Sequence, residues 1–278
     1  MGEPFRLSAD GRVFELVHWP IGASEASGHR PPRAGMTRAA FGNMALHVED
    51  EASSVIGRRR TLAARLDLPF EHLTTARQVH GSRVAVVGPK DVGRGRDRLA
   101  SAIPDADALI TKTDALLVLF YADCLPLYFY APGVRAVGLA HAGWRGTAAN
   151  IAASTLSAFR QAFAVSPSEL FVVIGPGICG RDYEVDRPVA EIFAANFGDA
   201  VPGLMSRGDG KYLLDLVKIN RFLLEQAGIP STHIEWTNRC TTEPGAGLFS
   251  YRRDGRRAGR MAAYIALPSD RPNGGEHR

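Results

Sequence analysis

Three short segments bring side chains that can hold a metal to the ends of apolar runs: Arg77-Gln78-Val79-His80-Gly81, Ala122-Asp123-Cys124-Leu125-Pro126 and His141-Ala142-Gly143-Trp144-Arg145-Gly146. His80 precedes a turn, Cys124 follows the apolar run 116–121, and His141 follows the run 136–140. Strand ends are where a rigid scaffold offers functional groups to a cleft. Two histidines and one cysteine suit a catalytic zinc that keeps its fourth position open. The long separations match no zinc-finger spacing, so spacing alone leaves a second reading open. A cysteine after a strand is often a small buried hydrophobe, and a histidine there is often a satisfied polar group.

These residues need strands to position them. Val84–Val87, Ala108–Thr111, Leu116–Phe120, Leu127–Tyr130, Ala136–Ala140, Phe171–Ile174, Ile234–Trp236 and Met261–Leu267 read as strands. The unbroken apolar character of 116–120 predicts burial on both faces. Helices are expected over 55–66, from Thr147 through Ile151, Leu156 and Phe159, and over 187–197 and 215–228. Residues 22–35 and 88–105 read as loops and 268–278 as a polar tail. Strands arrive in neighbouring runs rather than in strict alternation with helices. This predicts an α+β fold, a single domain with a mixed or antiparallel β-sheet core flanked by helices. No dinucleotide or phosphate-loop glycine pattern occurs.

Composition narrows the function classes. The chain has 278 residues, 45% of them apolar, and a formal net charge of +4. That small, dispersed excess does not point to nucleic acid, and the runs Arg58–Arg60 and 252–260 read as solvated faces. Three cysteines, Cys124, Cys179 and Cys240, form no disulfide framework and suit a reducing compartment with free thiols. The first ten residues hold no apolar run of signal length, and Asp123 and Cys124 interrupt the most apolar stretch. A cytoplasmic protein without membrane, nucleic-acid or obligate protein partner is expected.

Further segments occur in order with these. They are Phe41-Gly42-Asn43-Met44-Ala45-Leu46-His47-Val48, Arg59, Ala106-Asp107-Ala108-Leu109-Ile110-Thr111, Gly175-Pro176 through Tyr183-Glu184-Val185, Lys211 to Leu216, Cys240-Thr241 and Phe249-Ser250-Tyr251-Arg252-Arg253. Together they resemble the laccase-domain family, once called multicopper polyphenol oxidases, whose members include purine nucleoside phosphorylases and peptidoglycan editing factors. The resemblance spans about residues 36–267. It implies a zinc site of His80, Cys124 and His141. It also implies phosphorolysis of adenosine, inosine and S-methyl-5′-thioadenosine, together with adenosine deamination. Arg58 before Arg59 and the segment 177–182 depart from the family pattern and bear on the substrate pocket.

Phosphorolysis requires an anion beside C1′ of the ribose, and arginine forks bind phosphate oxygens in pairs. Arg59, Arg145 and Arg252 are candidates, with His47 as a proton donor. For Arg145 a surface ion pair, and for His47 a plain loop role, are the competing readings. Deamination requires a nucleophilic water, which zinc acidifies, and a carboxylate to move the proton. Asp123 is the candidate base, unless it instead orients a ligand histidine. Either role needs a bend at 123–124, for which Pro126 is a candidate cause. Gln78 and Asn43 could read purine or ribose edges, and Trp144 or Tyr251 could stack on a base. Copper oxidation of phenols requires more histidine than eight without a His-x-His pair. A binding or cell-wall editing role without turnover is the remaining alternative.

Overall fold

The computed structural model describes residues 2–20, 22–23, 30–198 and 201–268. Two six-stranded sheets stack face to face, with helices on the outer face of each. The first sheet runs β1 (Phe5–Leu7), β2 (Val13–Leu16), β3 (Arg33–Thr37), β15 (Met261–Ala266), β7 (Leu116–Tyr121), β4 (Leu73–Thr75). The second runs β14 (Ile234–Trp236), β10 (Phe171–Ile174), β8 (Leu125–Ala131), β9 (Ala136–Ala142), β6 (Ala108–Thr111), β5 (Val84–Val87). A small antiparallel ribbon of β11 (Glu184–Asp186), β13 (Lys211–Leu214) and β12 (Leu204–Gly208) projects from this body. The β4–β7, β5–β6 and β10–β14 pairs are parallel and the others antiparallel, so the fold is α+β with mixed sheets.

Strand alternation explains the layers. Along β7, Leu117, Leu119 and Tyr121 enter the core between the sheets, while Leu116, Val118 and Phe120 pack under α1 (Ala52–Arg65). Side chains on a strand point alternately to its two faces, so a strand covered on both sides must be apolar throughout. β8 repeats this, with Tyr128 and Tyr130 inward and Leu125, Leu127 and Phe129 towards the helices. There α3 (Ile151–Phe163) lays Ile151, Ala152, Thr155, Leu156 and Phe159 on the sheet, a stripe at helical spacing. α4 (Arg187–Phe197) adds Phe193, and α5 (Leu216–Gln226) adds Ile219, Leu223 and Leu224.

Several expectations change. Residues 22–35 are not all loop, because Arg33 begins β3; residues 24–29 of that span lie outside the described residues. β1, β2 and β4 are short or polar strands that alternation alone did not flag. The helix expected from Thr147 starts earlier, as α2 (Trp144–Ala148), and breaks where Asn150 adopts a left-handed φ of 53°. Asn150 then caps α3 by accepting a hydrogen bond from the Ala153 N–H at 3.1 Å. Cys179 and Cys240 are not free thiols but form a disulfide, leaving Cys124 free. The expected tail lies outside the described residues beyond Pro268. Among the described residues no helix is long and apolar enough to cross a membrane.

Candidate functional site

Cys124 precedes β8, His141 stands near the end of β9 and His80 lies in the loop between β4 and β5, yet their ligand atoms all lie within 4.8 Å of one another. β8 and β9 pair antiparallel, with Leu125 opposite Ala142 and Pro126 opposite His141, which sets Cys124 beside His141. The His80 and His141 rings meet edge to face at 4.8 Å. Asp123 makes the bend before Cys124 with a φ of 84°. Pro126 does not supply it, because it sits inside β8.

Asp107 ties two of these ligands together. Its buried carboxylate accepts hydrogen bonds from the N–H groups of Val79, His80 and Gly81 at 3.1, 3.0 and 2.8 Å. Those bonds hold a tight turn in which His80 has a φ of 60°, an unusual conformation for a non-glycine residue. The same carboxylate lies 2.9 Å from His141 Nδ1, which leaves Nε2 for a metal. Burial works against a charged carboxylate here, but His141 and the Gly81 and Val79 N–H groups outweigh it and keep Asp107 below the usual range. Burial alone would raise the Cys124 thiol, yet the two imidazoles, His141 first, bring it below its ordinary value. Burial alone would lower His141, yet Cys124 and Asp107 hold it up. Gly143 completes the cradle: a Cβ there would stand 2.7 Å from Cys124 Sγ. The donor set, its convergence and the oriented imidazole fit a metal ion.

The triad opens into a cavity of about 680 Å³. His47, Gln78, Asp123, Arg145 and Arg252 also line it, with Trp144, Tyr183, Tyr251 and Arg260. Three of its guanidiniums lie over aromatic rings of the same cavity: Arg145 over Trp144 at 4.3 Å, Arg252 over Tyr183 at 5.0 Å and Arg260 over Tyr251 at 5.7 Å. Among the described residues none of these three has a carboxylate within ion-pair distance. Their neighbour Arg253, by contrast, pairs with Asp254 at 2.8 Å.

Other expected site residues have structural duties. Arg59 is almost wholly buried behind the cavity, bonded to the carbonyls of Met44, Gly95 and Arg96 and stacked on Phe120. Asn43 is buried too, joined to Ala45, Asp50 and the Arg260 N–H. Neither lines the cavity. Gln78 does, but its amide clasps the Phe120 N–H and carbonyl at 2.8 and 2.9 Å. Asp123 accepts from the Thr241 hydroxyl and from the Arg252 N–H, both at 2.6 Å, whereas the carboxylate hydrogen-bonded to His141 is that of Asp107. Lost hydration, then the charges of Arg260 and Arg59, push His47 down to about 4, which weighs against the expected role as a proton donor at neutral pH. Arg145 lies inside the five-residue α2, so no long helix N-terminus supports it. From sequence, Asp107 is not recognised as a ligand-orienting group, and Arg260 reads only as part of a solvated basic run. The order of buried acid and strand at 106–111 was the available signal for Asp107.

Comparison with known proteins places this arrangement. A family profile described as multi-copper polyphenol oxidoreductase laccase matches residues 33–268. A Geobacillus stearothermophilus protein named Purine nucleoside phosphorylase YlmD is 39% identical over 250 residues, spanning 88% of this chain and 91% of that protein. A Deinococcus radiodurans protein named Purine nucleoside phosphorylase is 37% identical, spanning 82% and 83%. The crystal structure of YlmD from Geobacillus stearothermophilus superposes with a TM-score of 0.89, at 35% identity, over 96% of this chain and all of that one. The Bacillus licheniformis protein YfiH, described as hypothetical, gives 0.86 at 33% identity, over 95% of this chain and 99% of that one. With the profile covering most of its length and relatives this similar, the chain belongs to the multi-copper polyphenol oxidoreductase laccase family.

Proposed function

We propose that this protein is a zinc-dependent purine nucleoside phosphorylase acting on adenosine, inosine and S-methyl-5′-thioadenosine, with adenosine deamination as a second activity. The observation that carries the reading is one cavity joining a His/Cys/His triad to guanidiniums without carboxylate partners, stacked on aromatic rings. The names of the relatives support it. Arg145 and Arg252 bind phosphate through charge-assisted paired hydrogen bonds, and the exposed ring of Tyr251 offers a face for the purine. In phosphorolysis a phosphate oxygen bonds to C1′ while the C1′–N9 bond breaks. Its electron pair goes to the purine, which takes up the proton of hydrogen phosphate.

His80, Cys124 and His141 would hold the zinc, which when bound supplies Lewis acidity beside the substrate. Zinc is favoured over the copper centres of a multicopper oxidase because, among the described residues, this triad is the one histidine-bearing cluster and such oxidases need more histidine ligands. Deamination forms a bond from water oxygen to purine C6 and releases ammonia, with Asp123, the carboxylate in the cavity lining, to move the proton. The chain, 1–278, is one domain with its core at about residues 36–267, and the activity is cytoplasmic with no obligate protein partner.

Chromatography of metal-quantified protein with adenosine or inosine, with and without phosphate, tests the reading. Base release should require phosphate, and inosine formation from adenosine should not. Base release at full rate without phosphate would contradict phosphorolysis. Nucleoside bound but never converted would favour a binding role.

A further inference from the structure

The cavity holds a cation that sequence patterns did not assign to it. Arg260 ends the loop before β15, whose Met261 pairs with Tyr121 at the end of β7, close to Asp123 and Cys124. Its backbone is clamped on both sides. The Arg260 N–H donates to Asn43 Oδ1 at 3.0 Å, and its carbonyl accepts from the Met44 N–H at 2.9 Å. Its side chain is half-buried. Nη1 donates to the carbonyls of Ala258 and Gly259 at 2.5 and 3.2 Å, while Nε and Nη2 have no protein acceptor among the described residues. A partly desolvated guanidinium without a counter-ion is costly, and a ligand anion removes that cost. Its guanidinium carbon lies over the Tyr251 ring at 5.7 Å, and Nε and Nη2 remain for planar, paired contacts. Arg145 and Arg252 repeat this arrangement on Trp144 and Tyr183 across the same cavity.

We propose that Arg260 binds phosphate in this cavity together with Arg145 and Arg252, and that Asn43 is its positioning residue. The assignment rests on the phosphorylase reading for its purpose, but the phosphate contact can be tested without turnover.

The experiment titrates inorganic phosphate calorimetrically into metal-loaded full-length protein and measures initial rates against phosphate at saturating inosine. Arg260→Gln should weaken phosphate binding and raise the phosphate KM by roughly 10- to 100-fold, the effect of losing a charged hydrogen-bonding partner, with the inosine KM unmoved. Arg260→Lys should recover part of this, since it keeps the charge but not the paired contact. Asn43→Ala should shift the phosphate KM in the same direction although it removes no charge. Wild-type phosphate Kd and KM in Arg260→Gln would overturn the proposal, as would a rise in the inosine KM instead. Should Arg260→Gln fail to fold, Arg260→Lys decides: a wild-type phosphate KM there counts against the paired contact. If wild-type base release ignores phosphate, the phosphorylase reading fails, while calorimetry still reports whether Arg260 holds the anion.

Discussion

Asp107 shows how much one carboxylate can organise. It fixes the His80 turn by three N–H bonds and turns His141 so that Nε2 faces the other ligands. Asp107→Asn should therefore weaken metal affinity by about 10- to 100-fold, the range for lost outer partners of metal ligands, as read by chelator competition. Unchanged affinity would mean that the turn holds itself. His47 makes a different prediction. The folded protein takes up its proton only near pH 4, whereas an unfolded histidine takes one up near 6.5. Its contribution to stability is therefore level above about pH 6.5 and falls as the pH drops from there towards 4. His47→Gln should flatten that fall in pH-dependent denaturation and leave the acid limb of the rate profile in place. A limb that disappears with His47 would show that it titrates during turnover.

At the scale of elements, the strands that carry the triad were legible because covered strands must be apolar and their ends are marked by polar motifs. The apolar run 116–121, with Asp123 and Cys124 just beyond it, is such a case. What was not legible depends on contacts distant in sequence. Arg59 and Asn43 stand in motifs of the same kind as Gln78-Val79-His80-Gly81, and only packing shows that they brace backbone carbonyls and Arg260 and do not line the cavity. Arg260 lies in a charged run that reads as solvent-facing until β15 brings it beside β7. The Cys179–Cys240 disulfide likewise depends on the bridge that sets Gly177 beside Cys240. Gly143 can be tested directly. Gly143→Ala places its Cβ against Cys124 Sγ and should lower metal content with little loss of fold, while Gly133→Ala, which meets nothing within 4 Å, should do neither. Full metal content in Gly143→Ala would show that the cradle yields.

For the molecule as a whole, stacking two sheets gathers ligands from distant segments. The second sheet supplies Cys124 and His141 through β8 and β9, and the Ala122–Asp123 link brings β7 of the first sheet to the same place. Segments from the far end of the chain then close the cavity: Asp123 receives Thr241 and Arg252, and the Ile178 N–H bonds the Asp123 carbonyl at 2.8 Å. The Cys179–Cys240 disulfide joins two of those segments, which lie 61 residues apart. Closing a loop of that size typically adds about 2–4 kcal/mol, so Cys179→Ala should lower the Tm measurably. An unchanged Tm under oxidising conditions would show that the bridge adds nothing.

The central claim, that this cavity transfers ribose to phosphate, is tested most directly by phosphorus NMR of the metal-loaded protein with inosine and inorganic phosphate. A ribose 1-phosphate resonance should grow as inorganic phosphate declines, in step with hypoxanthine release, and it should be absent in Cys124→Ser. Hypoxanthine released with free ribose, while the inorganic phosphate signal stays constant, would contradict the account.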